Sequence, residues 1–388
     1  MIKIDKIEIK NYKSCLKTSF NLISNLNVLI GVNGVGKSNI LNAIQLLKKI
    51  KYSIYKHDFQ DEDSILDTTI TIYINIENEI HLLKATIFYF IDDRNIDEVF
   101  AFDIKIKPLN KEKTSTKWKT LNYYKFNTLF DKINDKSDRV GWLIFNFFNS
   151  ISYYGATQFA DPSKCPISIE FEDSRATRTN RNLKAHDKFI QDLYLLYKKD
   201  SDGFNQYLNT VNKSGISLVD SIDFFEHEMP INSYVVKQGG KISPDVRYKT
   251  IIIPKIKIDN IDLTLNQLSE GTFKTLALVF YILSDKSELL LIEEPEVCIH
   301  HGLLNSIIEL IKIQSKNKQI IISTHSDLIL DQLEPENILL VNKQLSKGTI
   351  ATPLNNHLSE EDLEAMRNYL RTSGNLGEYW KEGGFDNE

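Results

Sequence analysis

The chain begins with alternating apolar and polar positions, in the segment MIKIDKIEIKNYKS. This period of two predicts a half-buried β-strand, and the charges spread through the segment distinguish it from a signal peptide. The same alternation returns between turn-like breaks in three further segments, TTITIYINIE, IHLLKATIFYFI and VFAFDIKIKPL. Together these three segments predict an antiparallel meander.

Other segments have the spacing of helices or of buried strands. HDKFIQDLYLLYKK and FNQYLNTV repeat apolar residues at helical intervals, whereas KTIIIPKIKIDNIDLTL returns to strands. The run IFNFFNSISYYGA is strand-like. Three short and largely apolar runs, at 27–30, 289–292 and 319–322, predict strands buried within a sheet. Each of these three runs leads into residues with a distinct chemistry.

A glycine-rich segment of the form G-x-x-x-x-G-K-S follows the first buried run, from Gly31 to Ser38. Glycines allow backbone N–H groups to close around phosphate oxygens, and the N-terminus of the helix that follows adds partial positive charge. Lys37 is placed to reach the β- and γ-phosphates of a nucleotide, and the Ser38 hydroxyl to bind Mg²⁺. A chance glycine-rich turn is the alternative, but the strand before and the helix after argue against it. The predicted nucleotide-binding residues here are Asn33, Gly34, Val35, Gly36, Lys37, Ser38 and Asn39.

The second buried run ends in two adjacent acidic residues, Glu293 and Glu294. Burying two carboxylates costs free energy unless cations offset them, so one interpretation is a core strand that ends at the surface with solvated acids. The glycine-rich loop favours another interpretation. A parallel strand delivers carboxylates to the carboxyl edge of its sheet, where Mg²⁺ and its bound waters would offset their charge. We therefore predict that Glu293 binds the metal and that Glu294 is a general base.

Two further segments add anion-binding and titratable groups. In LSEGTFKTLALVFYIL, Ser269 and Gly271 lie at the start of an apolar helix, as a second anion-binding terminus or as a simple N-cap with an acidic first turn. The third buried run ends in Ser-Thr-His-Ser, where His325 is placed to sense a γ-phosphate or has a structural role. The order of the four segments along the chain favours the nucleotide-related roles.

Composition narrows the class of protein only loosely. The 388 residues suffice for one large domain or for about two to three smaller ones. Apolar residues make up 42% of the chain, and no run approaches the roughly 20 apolar residues of a membrane span. Three cysteines without metal-ligand spacing favour a reducing, cytoplasmic location. The net charge of −5 gives no basic field for nucleic acid. A basic cluster is either a local phosphate-binding surface or a solvated loop, and it contains Arg175, Arg178, Arg181 and Lys184.

The glycine-rich loop, LSEGT, LLLIEEPE and STHS together resemble the ATP-binding-cassette (ABC) ATPases of the SMC/RecF/OLD group. The resemblance covers both ends of the chain. It implies an α/β fold, an ABC-type P-loop ATPase head, that binds and hydrolyses ATP with Mg²⁺. The phrase EEPEVCIHH departs from the EEPEIHLHP common in that group, so no role is carried over to Cys298 or His301. Glu270 and Thr272 stand where transporters have Gly and Gln, which argues against transport.

The resemblance also implies further residue roles and an assembly. In this group a glutamine between the P-loop and the signature contacts the metal, and Gln158 in GATQFADP is the best match, with a polar loop residue as the alternative. Lys13 in NYKS is either a phosphate contact or a solvated lysine. ATP is expected to bind between two heads, with each P-loop facing Ser269 and Gly271 of the opposite head. The working unit is then a dimer or a larger homo-oligomer.

Two phrases, YYGATQFADPSKCP and EEPEVCIHHGLL, resemble more narrowly the ATPase subunits of Septu-type and retron-associated phage-defence systems. This resemblance implies a regulatory ATPase that controls a separate HNH-type nuclease, with DNA or RNA as a further candidate partner. Only about 60 residues follow the third buried run, too few for a nuclease domain. His186 and His227 stand apart from any nuclease pattern. The alternatives are a RecF- or SMC-like DNA-repair ATPase and a nucleotide-gated scaffold without turnover.

The predicted organisation has three parts. Residues 1–50 and 249–388 form the ATPase head from both chain ends. Residues 51–179 form a β-rich sub-domain that contains the metal-contacting glutamine. Residues 180–248 form a helical insertion, which is too short for a long coiled-coil arm.

Overall fold

The computed structural model describes residues 2–48, 54–55, 67–92, 97–109, 118–120, 136–172, 184–236, 242–284, 287–372 and 374–385. The basic cluster Arg175–Arg181 lies outside these residues. By packing, the chain forms two compact units. Unit 1 comprises Met1–Tyr154, Ser284–Glu296 and Ile307–Glu388, and unit 2 comprises Gly155–Leu283 and Val297–Ser306. The predicted division into a head, a β-rich sub-domain and a helical insertion stays a prediction beside this division by packing.

The elements are numbered in chain order. The strands are β1 (Lys3–Tyr12), β2 (Cys15–Asn21), β3 (Leu26–Ile30), β4 (Ile54–Tyr55), β5 (Thr69–Ile76), β6 (Glu79–Asp92), β7 (Asp97–Pro108), β8 (Lys119–Thr120), β9 (Ser152–Gly155), β10 (Ile169–Glu172), β11 (Ser221–Val236), β12 (Ile242–Ile258), β13 (Ile261–Leu263), β14 (Leu289–Glu293), β15 (Gln319–Thr324), β16 (Ile338–Gln344) and β17 (Gly348–Pro353). The helices are α1 (Lys37–Leu46), α2 (Lys136–Ser150), α3 (Ala185–Lys199), α4 (Ser201–Val211), α5 (Glu270–Leu283), α6 (His301–Gln314), α7 (Asp327–Leu330), α8 (Leu354–His357), α9 (Glu360–Thr372) and α10 (Leu376–Lys381). No helix in the described part of the chain is long and apolar enough to cross a membrane.

The central sheet of unit 1 has the strand order β17-β16-β3-β15-β14-β9. Strands β16, β3, β15 and β14 are parallel, and β17 is antiparallel at one edge. Every residue of β3 and β15 and the first four residues of β14 are buried, as the three apolar runs predicted. The register places Leu29 beside Ser323 and Ser323 beside Glu293. The loop after β3, the acids after β14 and the histidine after β15 therefore leave the sheet at one edge.

The second sheet of unit 1 is antiparallel and confirms the predicted N-terminal strand and meander. Its order is β2-β1-β5-β6-β7-β4, with β8 paired to β7. Along β5, buried and half-buried residues alternate, so that one face packs inward. The buried side chains of this face join those of α1 and α2 in one hydrophobic core. Strands β1 and β2 reverse through Lys13 and Ser14, with Tyr12 paired to Cys15.

Among its described residues, unit 2 contains a four-stranded antiparallel sheet and the helices α3, α4 and α5. Strand β12 lies between β10 and β11 and also pairs with β13. Phe224 of β11 packs against Tyr194 and Tyr197 of α3 and against Phe204 of α4. The Tyr207 hydroxyl of α4 donates a hydrogen bond to the Leu276 carbonyl of α5 at 3.0 Å. The helices predicted from the two segments before β11 are confirmed.

One predicted element is wrong. The run IFNFFNSISYYGA was expected to be a strand, but its first part continues α2 to Ser150 and only Ser152–Gly155 is extended. Ile144, Phe147, Phe148 and Ile151 are all buried. Their spacing of three and four residues is that of one helix face, and the density of aromatic residues hid this period.

Candidate functional site

The glycine-rich loop joins β3 to α1 in a conformation that glycine favours. Gly34 and Gly36 have φ angles of 83° and 105°, in the left-handed region where a Cβ atom is costly. Gly36 is the N-cap of α1 and provides no side-chain hydrogen bond to the first turn. The loop thus ends at a helix N-terminus whose amides no capping side chain occupies, a geometry suited to an anion. This arrangement fits a nucleotide phosphate.

Lys37 folds back over this loop. Its Nζ atom donates hydrogen bonds to the carbonyls of Gly31 at 2.7 Å and Val32 at 3.1 Å. Burial lowers the pKa of Lys37, and the nearby carboxylates of Glu294, Glu296 and Glu293 oppose that effect. Three acids therefore lie within electrostatic range of the lysine, as the sequence predicted for two of them.

Glu293 is held by a tyrosine. The Tyr153 hydroxyl donates a short hydrogen bond to Oε2 of Glu293. Burial raises the pKa of Tyr153, and the hydrogen bond to Glu293 raises it further. The phenol therefore remains a proton donor at neutral pH and fixes the direction of the Glu293 carboxylate. No group of three or more His, Cys, Asp or Glu in the described residues could hold a metal ion. A Mg²⁺ ion here would need Ser38, Glu293, phosphate oxygens and water as ligands, which is how this ion is usually held.

Glu294 has an unusual backbone. Its φ angle is 47°, which is uncommon for a residue other than glycine, and its amide donates to the Ser323 carbonyl at 2.9 Å. Such outliers concentrate at functional sites. The strand ends at Glu293, and this turn directs Glu294 toward His325, whose Nδ1 lies 3.7 Å from Glu294 Oε1.

No role was predicted for Glu296 from the sequence, yet its carboxylate holds the residues at the end of β15. Its Oε1 accepts hydrogen bonds from Thr324 Oγ1 at 2.6 Å and from the His325 amide at 3.1 Å. Its Oε2 is buried without a hydrogen-bond partner. Glu296 is the third acid of EEPE, and this motif could have marked it as a candidate. The sequence does not show which of the three acids contacts His325. The hydroxyl of Ser323 is likewise buried and without a hydrogen-bond partner.

The remaining predicted residues lie elsewhere. Asn39 donates to Ser14 Oγ at 2.7 Å. In unit 2, Gln158 is exposed in a short 3₁₀ helix, Ala156–Phe159. Ser269 caps α5, because its Oγ accepts from the Thr272 amide at 3.2 Å. A Cβ atom on Gly271 would lie 2.6 Å from the Cys298 carbonyl oxygen, so the glycine allows this close contact. Unit 1 thus brings together the loop residues 33–39, Glu293, Glu294 and His325, while Gln158, Ser269 and Gly271 belong to unit 2.

A buried parallel strand, a G-x-x-x-x-G-K-S loop opening a helix, and acids at the end of a nearby parallel strand define a P-loop nucleotide-binding protein. A family model described as "AAA domain, putative AbiEii toxin, Type IV TA system" matches residues 26–331. The chain belongs to this family, AAA_21.

Two similar proteins of known name are nucleases. The chain is 24% identical over 389 residues to the Old nuclease of Escherichia phage P2, covering 90% of this chain and 61% of that protein. It is 23% identical over 363 residues to endonuclease GajA of Bacillus cereus (strain VD045), covering 88% of this chain and 58% of that protein. The chain therefore spans less than two thirds of the length of either relative.

Solved SMC head domains are also similar. The head from Thermotoga maritima aligns with a TM-score of 0.41 at 14% identity, covering 90% of this chain and 98% of that one. A Pyrococcus furiosus Smc head bound to the C-terminal domain of ScpA aligns with a TM-score of 0.49 at 14% identity, covering 96% and 100%. The predicted α/β class and a P-loop ATPase of the SMC/OLD type are confirmed by the parallel sheet, the family model and the sequence relatives. The narrower likeness to Septu-type and retron-associated ATPases stays a prediction.

Proposed function

We propose that this chain binds ATP together with Mg²⁺ in the Gly31–Ser38 loop and hydrolyses the bond between the β- and γ-phosphates. The observation that carries this proposal is the convergence of Lys37, Glu294 and His325 at one edge of a parallel sheet, with distances of 3.4 to 3.7 Å from His325 Nδ1 to the nearest carboxylates. Membership of a P-loop family supports it.

Each residue has a distinct role in the proposed site. Backbone amides of the loop and Lys37 bind the phosphates, and the Ser38 hydroxyl and Glu293 hold the metal. When bound, Mg²⁺ would supply positive charge to the phosphate oxygens. The role of Gln158 as a metal contact rests on the family resemblance alone. Tyr153 orients Glu293, since its hydroxyl donates to that carboxylate.

Glu294 is the better candidate for the general base. Glu293 is already engaged with Tyr153, whereas the Glu294 side chain is 30% exposed and lies beside His325. An accessible carboxylate can accept a proton from the attacking water. His325 contacts the γ-phosphate and reports its presence, in the orientation that Glu296 sets.

The active form is a homodimer or a larger homo-oligomer. In it, the N-terminus of α5, with Ser269 and Gly271, faces the P-loop of a second copy and completes its phosphate site. The exposed Ser269 at the start of a helix of 14 residues supports this assignment. ATP binding would then favour closure of two heads and hydrolysis their separation.

The biological role we propose is the regulatory ATPase of a prokaryotic anti-phage system that controls an HNH-type nuclease supplied separately. Support comes from the two phrases shared with Septu-type and retron-associated ATPases. Relatives named as nucleases that extend beyond the matched region also support a link to nuclease action. DNA or RNA would be the substrate of the assembly. The three cysteines are free thiols, in keeping with a reducing cytoplasm.

One experiment tests the core of the proposal. Purified protein is assayed for binding of ATP by calorimetry and for phosphate release, with Mg²⁺ and with excess chelator. We expect binding and Mg²⁺-dependent release in the wild type, neither in Lys37→Ala, and both in the surface control Lys316→Ala. DNA and RNA should stay intact in the same reactions. ATP binding that survives Lys37→Ala would contradict the assignment of the loop, and cleavage by the pure protein would contradict the separate nuclease.

A further inference from the structure

A buried threonine of strand β17 contacts the P-loop and supports its backbone. Thr349, in β17, is fully buried, and its Oγ1 lies 2.7 Å from the Val35 carbonyl oxygen and 2.7 Å from Ser14 Oγ. Ser14 Oγ in turn lies 2.7 Å from Asn39 Nδ2. Four groups from the β1–β2 turn, the P-loop, α1 and β17 thus form one hydrogen-bonded chain.

The two ends of this chain have a fixed hydrogen-bond direction. The Val35 carbonyl can only accept, and the amide nitrogen of Asn39 can only donate. Thr349 Oγ1 donates to the Val35 carbonyl and has Ser14 Oγ as its second acceptor, and Ser14 Oγ also accepts from Asn39 Nδ2. Ser14 thereby holds the Thr349 hydroxyl beside Val35 in a site of low dielectric constant.

The surrounding backbone leaves little freedom at this point. The Thr349 amide donates to the Ser14 carbonyl at 2.8 Å, and the Thr349 carbonyl accepts from Thr18 Oγ1 at 2.6 Å. A Cβ atom on Gly36 would lie 2.2 Å from Thr349 Oγ1 and 2.5 Å from Ser14 Oγ. The glycine of the loop is therefore needed on this side for contact with Ser14 and Thr349, apart from its left-handed φ.

We propose that Ser14 and Thr349 are positioning residues for phosphate binding, an inference that rests on the proposed ATP site. A trans peptide unit points its C=O and its N–H in opposite directions. By holding the Val35 carbonyl, Thr349 turns the Gly36 N–H away from itself, toward the side of the loop assigned to phosphate. Without this bond the Val35–Gly36 peptide can rotate, and one amide of the phosphate cradle is lost.

The test uses the whole chain and three threonine variants. Thr349→Val removes the hydroxyl at nearly constant volume, Thr349→Ser restores it, and Thr18→Val removes a buried hydrogen bond to Thr349 that does not lead to the loop. The affinity for ATP with Mg²⁺ is measured by calorimetry, and the thermal midpoint is measured without nucleotide. We expect Thr349→Val to weaken ATP binding about tenfold, because it leaves the buried Val35 carbonyl without its hydrogen-bond donor. Thr349→Ser should stay within about threefold of the wild type, and Thr18→Val should lower the midpoint while keeping the affinity.

Ser14→Ala gives an independent measurement if Thr349→Val does not fold. It should weaken ATP binding in the same way, and in a double variant with Thr349→Val it should add little, because both changes break one chain. Wild-type affinity in folded Thr349→Val or Ser14→Ala would overturn the positioning role while leaving the ATP site intact. An equal loss of affinity in Thr18→Val would also overturn it. A wild-type protein that does not bind ATP would overturn the proposed function and this inference together.

Discussion

Glu296 holds His325 at two points. Its Oε1 lies 3.4 Å from Nδ1 of the imidazole ring and 3.1 Å from the main-chain nitrogen of the same residue. Glu294 Oε1 is farther from the ring, at 3.7 Å. A carboxylate facing Nδ1 favours the tautomer with its hydrogen there, which leaves Nε2 as the outward atom. Glu296 is therefore the residue that sets the orientation of the proposed phosphate sensor.

Replacement of Glu296 by Gln should disturb the orientation of His325 without disturbing the fold. The Gln amide oxygen can still accept from Thr324 Oγ1 and from the His325 amide, but the negative charge facing the ring is lost. We expect unchanged ATP affinity and a turnover reduced about 10- to 100-fold, as for partners that orient a functional side chain. Phosphate release and calorimetry on the same preparation measure both quantities. Glu309→Gln, which changes an exposed acid of α6, is the control, and an unchanged rate in Glu296→Gln would refute the orienting role.

Glu294→Gln should keep ATP bound without turning it over. The amide retains the size of the side chain but cannot accept a proton from water, so we expect a loss of about 10²–10⁴ in turnover. Binding of ATP is measured by calorimetry, and phosphate release under single-turnover conditions. Glu288→Gln, at the residue that precedes the first residue of the same strand, is the control. Hydrolysis at the wild-type rate in Glu294→Gln would show that another group activates the water.

Mixing two inactive variants should restore hydrolysis if the phosphate site is shared between two copies. Ser269→Arg keeps an intact P-loop, and Lys37→Ala keeps an intact α5 terminus. A mixed dimer then contains one complete site, and random pairing gives about a quarter of the wild-type rate if sites act independently. The rate is measured as a function of the mixing ratio.

Loss of the Ser269 cap needs its own control, because an N-cap contributes about 1 kcal/mol to stability. Asn375→Ala removes a comparable cap, the 2.9 Å bond from the Glu378 amide at α10, and should leave hydrolysis unchanged. A mixture no more active than either variant alone would speak against a shared site whose halves act independently.

The three thiols should differ sharply in reactivity. Burial raises the pKa of Cys165 to about 12 and raises that of Cys15, whereas Cys298 is exposed. At pH 8 a thiol of pKa about 12 is roughly one ten-thousandth thiolate, and the thiolate is the reactive form. We expect one thiol per native chain to react rapidly with a disulfide reagent, and three after denaturation. Cys298→Ser should remove the rapid phase, and its persistence in that variant would show that a buried thiol is accessible.

The sequence determined those features that depend on neighbouring residues. The glycine-rich loop, the buried strands around it and the antiparallel meander all follow from spacing within about ten residues, and the structure confirms them. Gly34 and Gly36 have φ angles in the left-handed region, which explains why these two positions are glycines. Spacing gave the wrong element once, at α2, where a dense aromatic run fits both strand and helix periods. Only the burial of the side chains identifies the packed face there.

The tertiary structure alone decided which distant residues meet. Parallel strands are joined by long crossovers, so β3 and β15 are adjacent in the sheet although Leu29 and Ser323 are far apart in the chain. Only the folded structure shows that Glu296, and not Glu294 alone, faces His325. The bond between Ser14 and Thr349 joins residues 335 positions apart, and neither residue has a local pattern that marks it. A hydroxyl acquires such a role from the buried groups that surround it, and those are set by the packing of whole strands.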